Sequence, residues 1–446
     1  MDQSRNITEI VLALSLLFGS VLTLGCGETA DSTASVAIES DSESATKLDW
    51  PSIYGPNHNS ISNESGLVTT WSEEGPPVLW RRPVGEGFGS VISVDSRVLL
   101  MGRYGDQETI ECLDAETGQP IWDHSYSTSC QCTYEYSTGP YSTPVANDQF
   151  VFCVGAQGQL HCLDHASGEV IWQRDLFSEY EIEPRDWPFA GSPLLLEDRL
   201  ILNLGAVEKN AGIIALSLSD GQTLWESTNQ PYAHTTPTVA TIHEQQLVFV
   251  LAFDGLVCLK PESGDVLWEV AHRVKDPRGM NNTNAVSPVV VGDRVCVVSG
   301  PKVKPGFRCF QILPDGSYEE PFDDIRLLKS QYTPLVPVGD YVFGLTPMTV
   351  GGPTLKCIDL NAGKISWKGK PNVGRANMLA VGDSILMLAE DGNLAAMKIN
   401  FRKMEITSRT AKPILKKPCY TSMALANGKL FLRNEQELVC LDLSKE

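Results

Sequence analysis

One unit recurs along the chain: a small residue, a Gly six positions on, and a Trp four positions after that. It reads Cys112…Gly118…Trp122, Cys162…Gly168…Trp172, Ala215…Gly221…Trp225, Cys258…Gly264…Trp268 and Cys357…Gly363…Trp367. Self-similarity at a period of roughly 40–50 residues is the mark of propellers, solenoids and arrays. Each unit divides into four short apolar runs separated by Gly, Asn and Asp. In the second unit these are Thr143–Ala146, Phe150–Val154, Leu160–Leu163 and Val170–Trp172. Runs of that length and composition predict strands joined as hairpins. The Asp-x-x-x-Gly stretch supplies a turn, with Gly at the position that needs positive φ. Four antiparallel strands per unit make one propeller blade.

The innermost strands are predicted to start near Ser90, Thr143, Ser192, Thr236, Ser287, Thr333, Met378 and Ser422. The fold class is therefore all-β, an eight-bladed propeller of four-stranded antiparallel blades. Unit five keeps its turn at Asp315-Gly316 but has Phe322 near the Trp position, and unit seven has Ala396 and no Trp. Unit eight stops after Cys440-Leu441-Asp442-Leu443, without an outer strand. Pro77-Val78-Leu79-Trp80 is the missing piece. Closure by that N-terminal strand removes an open sheet edge, which is otherwise an aggregation liability. Trp80, Trp122, Trp172, Trp225, Trp268 and Trp367 are expected to dock each blade on the next, since an indole brings a large apolar area and one polar handle.

The repeat, written small-Leu-Asp-x-x-(Thr/Ser)-Gly-x-x-x-Trp, resembles the PQQ-like β-propeller repeat of the quinoprotein alcohol dehydrogenase-like superfamily. The segment Trp50-Pro51-Ser52-Ile53-Tyr54-Gly55-Pro56-Asn57…Ile61-Ser62…Gly66-Leu67 is similar to the lead-in of its BamB-like lipoprotein subgroup, with Asn59-Ser60 where that subgroup usually has a Gly. The resemblance implies a propeller over residues 77–446 after a lead-in at 49–76. It also implies two functions of different class. One is a non-catalytic protein-interaction scaffold of the envelope. The other is a quinoprotein dehydrogenase, or another small-ligand enzyme, that uses the channel mouth with PQQ and calcium.

The N-terminus bears on that choice. Ile10 to Leu24 is an apolar stretch behind a short polar head, the length of a signal-peptide core rather than of a membrane span. It ends Leu22-Thr23-Leu24-Gly25-Cys26, similar to a bacterial lipobox. Residues 1–25 are thus expected to be a lipoprotein-type signal peptide, with Cys26 as the lipidation site. Residues 26–48 are rich in Ser, Thr, Ala, Asp and Glu without aromatics and predict a disordered tether, spanning on the order of 25 Å as a coil. The expected location is the bacterial envelope, lipid-anchored, on the periplasmic side or at the outer membrane. A net charge of −20 opposes nucleic-acid binding. The expected partner is an envelope protein or an extended peptide, and the ring is expected to be a monomer.

Twelve cysteines raise the question of disulfides. Cys112, Cys162, Cys258, Cys357 and Cys440 share one repeat position in different blades, so they are expected to be buried, separate and reduced. Cys153 and Cys296 read the same way from second-strand positions. Cys130 and Cys132 lie in a polar loop, as a bridge or as surface thiols.

Loops that lead into the innermost strands converge on one face, and function concentrates on loops held by a rigid frame. The longest are 123–141, 173–190 and 269–286. Tyr141, Trp187, His234, Asn284, Tyr332, Arg375 and Tyr420 precede those strands and are the candidate ligand- or partner-binding residues, against the alternative of loop packing and channel plugging. No acidic residue in these positions carries a quinoprotein motif, and Cys130-Gln131-Cys132 stands where adjacent cysteines would be expected. No catalytic residue is assigned, and no cofactor is expected outside the dehydrogenase alternative. His161 and His165 flank Cys162 and Asp164, but on a strand running into a turn, so no metal site is assigned.

Overall fold

The computed structural model describes residues 48–133, 136–183, 185–273, 284–300, 306–324, 326–330, 332–346 and 352–444. Cys26, the expected signal peptide at 1–25 and almost all of the expected tether at 26–48 lie outside them. Eight sheets form the blades, each with four antiparallel strands, and the seventh carries a fifth, parallel strand from the lead-in. Seven are built from consecutive strands, as in the first: Ile92–Val94, Arg97–Tyr104, Gln107–Asp114 and Pro120–Ser127. The eighth takes Ala424–Ala426, Lys429–Arg433 and Glu437–Asp442 from the C-terminus and its outermost strand, Val78–Pro83, from the N-terminus. Trp80 pairs with Cys440 in that seam.

The small-Gly-Trp repeat has one explanation in two contacts. Within a blade, the small residue lies opposite the Trp and, on its other side, opposite a bulky residue. Cys162 stands between Trp172 and Phe152, and Cys440 between Trp80 and Phe431. Because the middle side chain is small, the flanking rings meet over it, with centroids 5.8 Å apart for Phe152–Trp172 and 6.0 Å for Trp80–Phe431. At four joints (Trp80, Trp122, Trp172 and Trp225), the indole lies on the turn Gly of the next blade. A Cβ on Gly168 would fall 2.5 Å from the Trp122 ring, and one on Gly118 2.7 Å from Trp80. The indole N–H then donates to a carbonyl of that same turn: Trp80 to Ala115 (3.0 Å), Trp122 to His165 (3.1 Å), Trp172 to Leu218 (2.8 Å) and Trp225 to Pro261 (2.8 Å). Trp268 and Trp367 donate to Gly316 and Asn400. In the fifth blade Phe322 covers Gly363 in the same manner, without the hydrogen bond.

A second belt runs around the axis. The residue two positions before the innermost strand is Ser or Thr in most units, and its amide donates to the hydroxyl of the equivalent residue one blade on. The links are Ser422 to Ser90 (2.8 Å), Ser90 to Thr143 (2.9 Å), Thr143 to Ser192 (2.9 Å), Ser192 to Thr236 (3.2 Å) and Thr236 to Ser287 (2.9 Å). The first of these crosses the seam.

The lead-in segment belongs to the ring. Trp50 is 1 % exposed and exchanges backbone hydrogen bonds with Ser93 of the first blade, while Pro51 accepts from Ala146 of the second. Ile61–Ser62 then pairs in parallel with the innermost strand of the seventh blade, Ala376–Val381. The segment thus crosses the channel on the face of the Asp-x-x-x-Gly turns, opposite the loops that lead into the innermost strands. It leaves under the last two blades, where Glu64 accepts from the Gly428 amide and the Trp71 amide donates to Ser408.

The eleven described cysteines are free thiols. Cys296 and Cys309 are not separate, however. They are direct cross-strand partners, with Sγ atoms 3.5 Å apart, because Cys296 occupies the bulky second-strand position of its blade.

Gly168→Ala adds a methyl under the Trp122 ring at a residue with φ +75°, whereas Gly292→Ala meets open space at φ +58°. Both incur the left-handed backbone cost of about 1 kcal/mol. Only Gly168→Ala adds overpacking of about 1–3 kcal/mol. Thermal unfolding should therefore rank Gly168→Ala clearly below Gly292→Ala; equal melting points would remove the indole contact as the source of the repeat.

Candidate functional site

The mouth is built from loops ahead of the innermost strands and from the turns between second and third strands, which reach the same face. The seven residues singled out by sequence fall into groups. Tyr141 and Tyr420 meet around Phe88, with ring centroids 4.9 and 5.3 Å from it. Trp187 packs against Tyr136 at 5.1 Å. Arg375 stands 5.9 Å from the Tyr332 ring and 4.0 Å from a carboxylate oxygen of Glu390. His234 and Asn284 are tied into the loop structure. The His234 amide donates to the Asn284 carbonyl, and the Asn284 amide group donates to Ala252 and His272 carbonyls.

Phe88, Tyr136, Glu86, Glu390 and Glu435 are mouth residues that the sequence reading missed. Phe88 was within reach: it stands two positions before Ser90, as Tyr141 stands before Thr143 and Tyr420 before Ser422. The Glu residues carry no repeat signal, since Glu390 and Glu435 lie in turns that vary from blade to blade.

The loop bearing Phe88 is fixed from below by Arg433. This guanidinium is fully buried and donates to the carbonyls of Gly85 (3.0 Å), Gly87 (3.3 Å), Gly89 (3.1 Å) and Met101 (2.7 Å). Burial lowers its pKa to about 10, so it remains charged at neutral pH. Tyr420 is pushed above the usual phenol range by burial. Tyr141 is also raised by burial, with the Cys132 thiol adding to the shift, and its hydroxyl donates to the Ser137 carbonyl at 2.9 Å. Burial, with Arg185 nearby, holds His234 down at about 4, so it is a neutral imidazole.

Among the described residues no three His, Cys, Asp or Glu side chains converge as a metal site. Glu86 and Glu435 line the groove beside Phe88 and Tyr420, where they would repel an anionic quinone. His161 is stacked on Tyr126 at 4.4 Å, between the first two blades.

Eight blades with a Trp-on-Gly joint and an axial mouth define the class: a PQQ-like β-propeller. Residues 106–369 match the family model described as outer membrane protein assembly factor BamB. That is more than half of the chain, and the chain belongs to this family. It is similar to BamB of Escherichia coli (strain K12), at 28 % identity over 145 residues that cover 32 % of this chain and 33 % of that protein. It is also similar to BamB of Yersinia pestis, at 26 % over 241 residues, covering 53 % and 55 %. The chain spans about a third to about half of the length of the curated relatives it matches. The crystal structure of BamB from Moraxella catarrhalis superposes with a TM-score of 0.58 at 16 % identity, over 82 % of this chain and 100 % of that one. Quinohemoprotein alcohol dehydrogenase from Comamonas testosteroni gives 0.58 at 12 %, over 90 % and 81 %. At such identities the likeness is one of fold.

Beside the mouth, His272 is fully buried, makes no hydrogen bond through either ring nitrogen among the described residues, and is held down to about 3 by burial and by the Arg308 charge. Its folded pKa lies below the unfolded value of about 6.5. Its contribution is therefore complete above that pH and is lost as pH falls toward the folded value, because the unfolded chain takes up the proton first. Stability should fall between pH 6.5 and 5, and His272→Leu should remove about one proton from that slope, about 1.4 kcal/mol per pH unit. Denaturant titrations at both pH values, giving the same slope for variant and wild type, would mean that His272 titrates normally.

Proposed function

We propose that this chain is a non-catalytic, membrane-tethered propeller of a bacterial cell envelope that serves as a protein-interaction scaffold in the manner of its outer membrane assembly relatives. The observation that carries the reading is the asymmetry of the ring. The lead-in covers the channel on one face, while the opposite face presents aromatic side chains to solvent, with Tyr332 53 % and Tyr136 48 % exposed. Exposed aromatic clusters with a polar rim suit protein contacts, where Tyr and Trp are enriched. The family, whose members are named as outer membrane protein assembly factors, supports the same reading. No cofactor is part of it. The partner is an envelope protein or an extended peptide, and the propeller works as a monomer.

The anchor in this reading is a lipid on Cys26, which follows the lipobox-like Leu22-Thr23-Leu24-Gly25. Tethering suits the geometry, since the chain joins the ring at Asp49 and Trp50, on the covered face, and leaves the mouth free. An acidic protein is repelled by anionic lipid, so the acyl chains are the favourable term.

Affinity purification of the full chain from detergent extracts should recover an outer membrane assembly protein; recovery of no specific partner would count against the scaffold. Titration with PQQ and calcium should give no stoichiometric binding, and stoichiometric binding would restore the dehydrogenase reading. Cys26→Ser should move the protein from membranes to the soluble export fraction, with mature wild type beginning at Cys26 and carrying lipid. A Cys26→Ser variant that still sediments after a high-salt wash would exclude the lipid as the sole anchor.

A further inference from the structure

We infer that the groove over the closing seam of the ring is a cation site, and that its ligand is a lysine or arginine side chain of the partner polypeptide. This rests on the scaffold reading and names the chemistry by which the partner is recognised.

The groove has a volume of about 430 Å³, and Glu86, Phe88, Tyr136, Pro418, Tyr420 and Glu435 line it. That is room for a long side chain with its neighbouring backbone. Phe88 and Tyr420 meet edge to face at 5.3 Å, an arrangement that leaves ring faces available. An ammonium or guanidinium over such a face is attracted by the ring quadrupole, and a carboxylate at the rim adds a charge-assisted hydrogen bond.

The other aromatic clusters of the same face already hold a cation of their own. Arg185 stands 4.0 Å from the centroid of Tyr232 and 5.3 Å from that of Phe177. Arg375 stands over Tyr332 and beside Glu390. At the seam groove the aromatic rings and both carboxylates are present, yet among the described residues neither Glu86 nor Glu435 forms an ion pair. Two nearby cations are engaged elsewhere: Arg433, whose charge reaches Glu435, lies buried with carbonyl acceptors, and Arg375, whose charge Tyr420 also feels, is held by Tyr332 and Glu390. The groove has the walls of a cation–π site without its cation.

The site is also preorganised. Arg433 pins the loop of Phe88 at three carbonyls, and the Asn377 amide group pins Tyr420 and Thr421 at theirs, at 3.0 and 2.9 Å. Little side-chain or loop ordering remains to oppose binding. Aromatic rings beside two carboxylates favour an organic cation over a hard metal ion, which needs six or more oxygens.

The test uses the full chain and three probes: acetyl-Gly-Lys-Gly-amide, its Arg counterpart and its Gln counterpart. These are titrated at about 50 mM salt, where screening is modest. The Lys and Arg peptides should bind saturably, and the Gln peptide about tenfold more weakly or not at all. The double variant Glu86→Gln/Glu435→Gln should lose about tenfold in affinity for the Lys peptide with an unchanged melting point, because both carboxylates reach solvent. Tyr420→Leu should weaken it as well. Equal binding of the Gln peptide, no binding of any peptide, or full affinity in the double variant overturns the cation site. Partner capture separates this from the scaffold reading. If the double variant captures the partner as well as wild type does, the cation site fails and the scaffold stands. If wild type captures no partner while the peptides behave as expected, the scaffold fails and the cation site stands.

Discussion

The contact on which the ring most depends is an aromatic ring laid on the turn of the next blade, an indole on a glycine at four joints and Phe322 on Gly363 at a fifth. It explains why the repeat couples residues that never meet within one unit: the Gly of a unit is kept open for the Trp of the unit before it. It also explains why the small residue precedes the Gly, since only a small side chain lets Trp and Phe rings close over the third strand. Closure uses the same contact with a strand from the other end of the chain, Trp80 on Gly118. A ring sealed in this way has no open first or last blade, and its stability is shared among neighbouring joints rather than held at one place. The joint between the seventh and eighth blades lacks a Trp on the outer strand Ile406–Arg409. There the lead-in supplies what is missing, with Leu67 and Trp71 packed against the core of the last blade and Thr69 bonded to Ser384.

The outer belt of indoles and the inner belt of hydroxyl groups fix the blades at both radii. Neither belt involves the side chains that point into the mouth. The mouth is therefore free to carry any chemistry, and for that reason the fold says little about function. What distinguishes this mouth is local. Arg433 gathers carbonyls from the loop that leads into the first blade, and the arrangement needs a buried cation because five acceptor groups in one place would otherwise go unmet. A seam joining the two ends of a chain is where such reinforcement is needed most.

The fold was legible because its constraint recurs. Blade number, the start of each innermost strand and the N-terminal closing strand all follow from a spacing that can be counted. Pairing across joints was less visible: Trp122 and Gly168 read as two features of two units until the ring brings them together. The lead-in carries no periodicity, so Trp50 and Ile61 gave no sign that they cross the channel floor. Cys296 reads as an isolated thiol because the register that places it opposite Cys309 lies in the most degraded unit. At the mouth, the repeat located Tyr141 and Tyr420, and applied to the first unit it also locates Phe88. Glu86 and Glu435 stayed hidden because loop and turn residues are released from the repeat, which is also what lets them serve recognition.

The two faces of the ring have been given different work by the same chain. On the turn face the Asp-x-x-x-Gly hairpins are self-contained. Asp114 accepts from the amides of Glu116 and Thr117 and from the Thr117 hydroxyl, and Asp164 does the same for Ser167. Those acidic side chains are satisfied locally, and their pKa values are lowered by these hydrogen bonds. They contribute to net charge but have little left to offer a partner. On the mouth face the carboxylates of Glu86 and Glu435 lack such turns and stand beside aromatic rings. The acidity of a propeller is thus no guide to where a basic partner binds. Under the proposed cation site, the guide is which carboxylates stand beside aromatic rings without an ion pair to a described residue, and Glu86 and Glu435 do so over the seam, on the face opposite the lead-in.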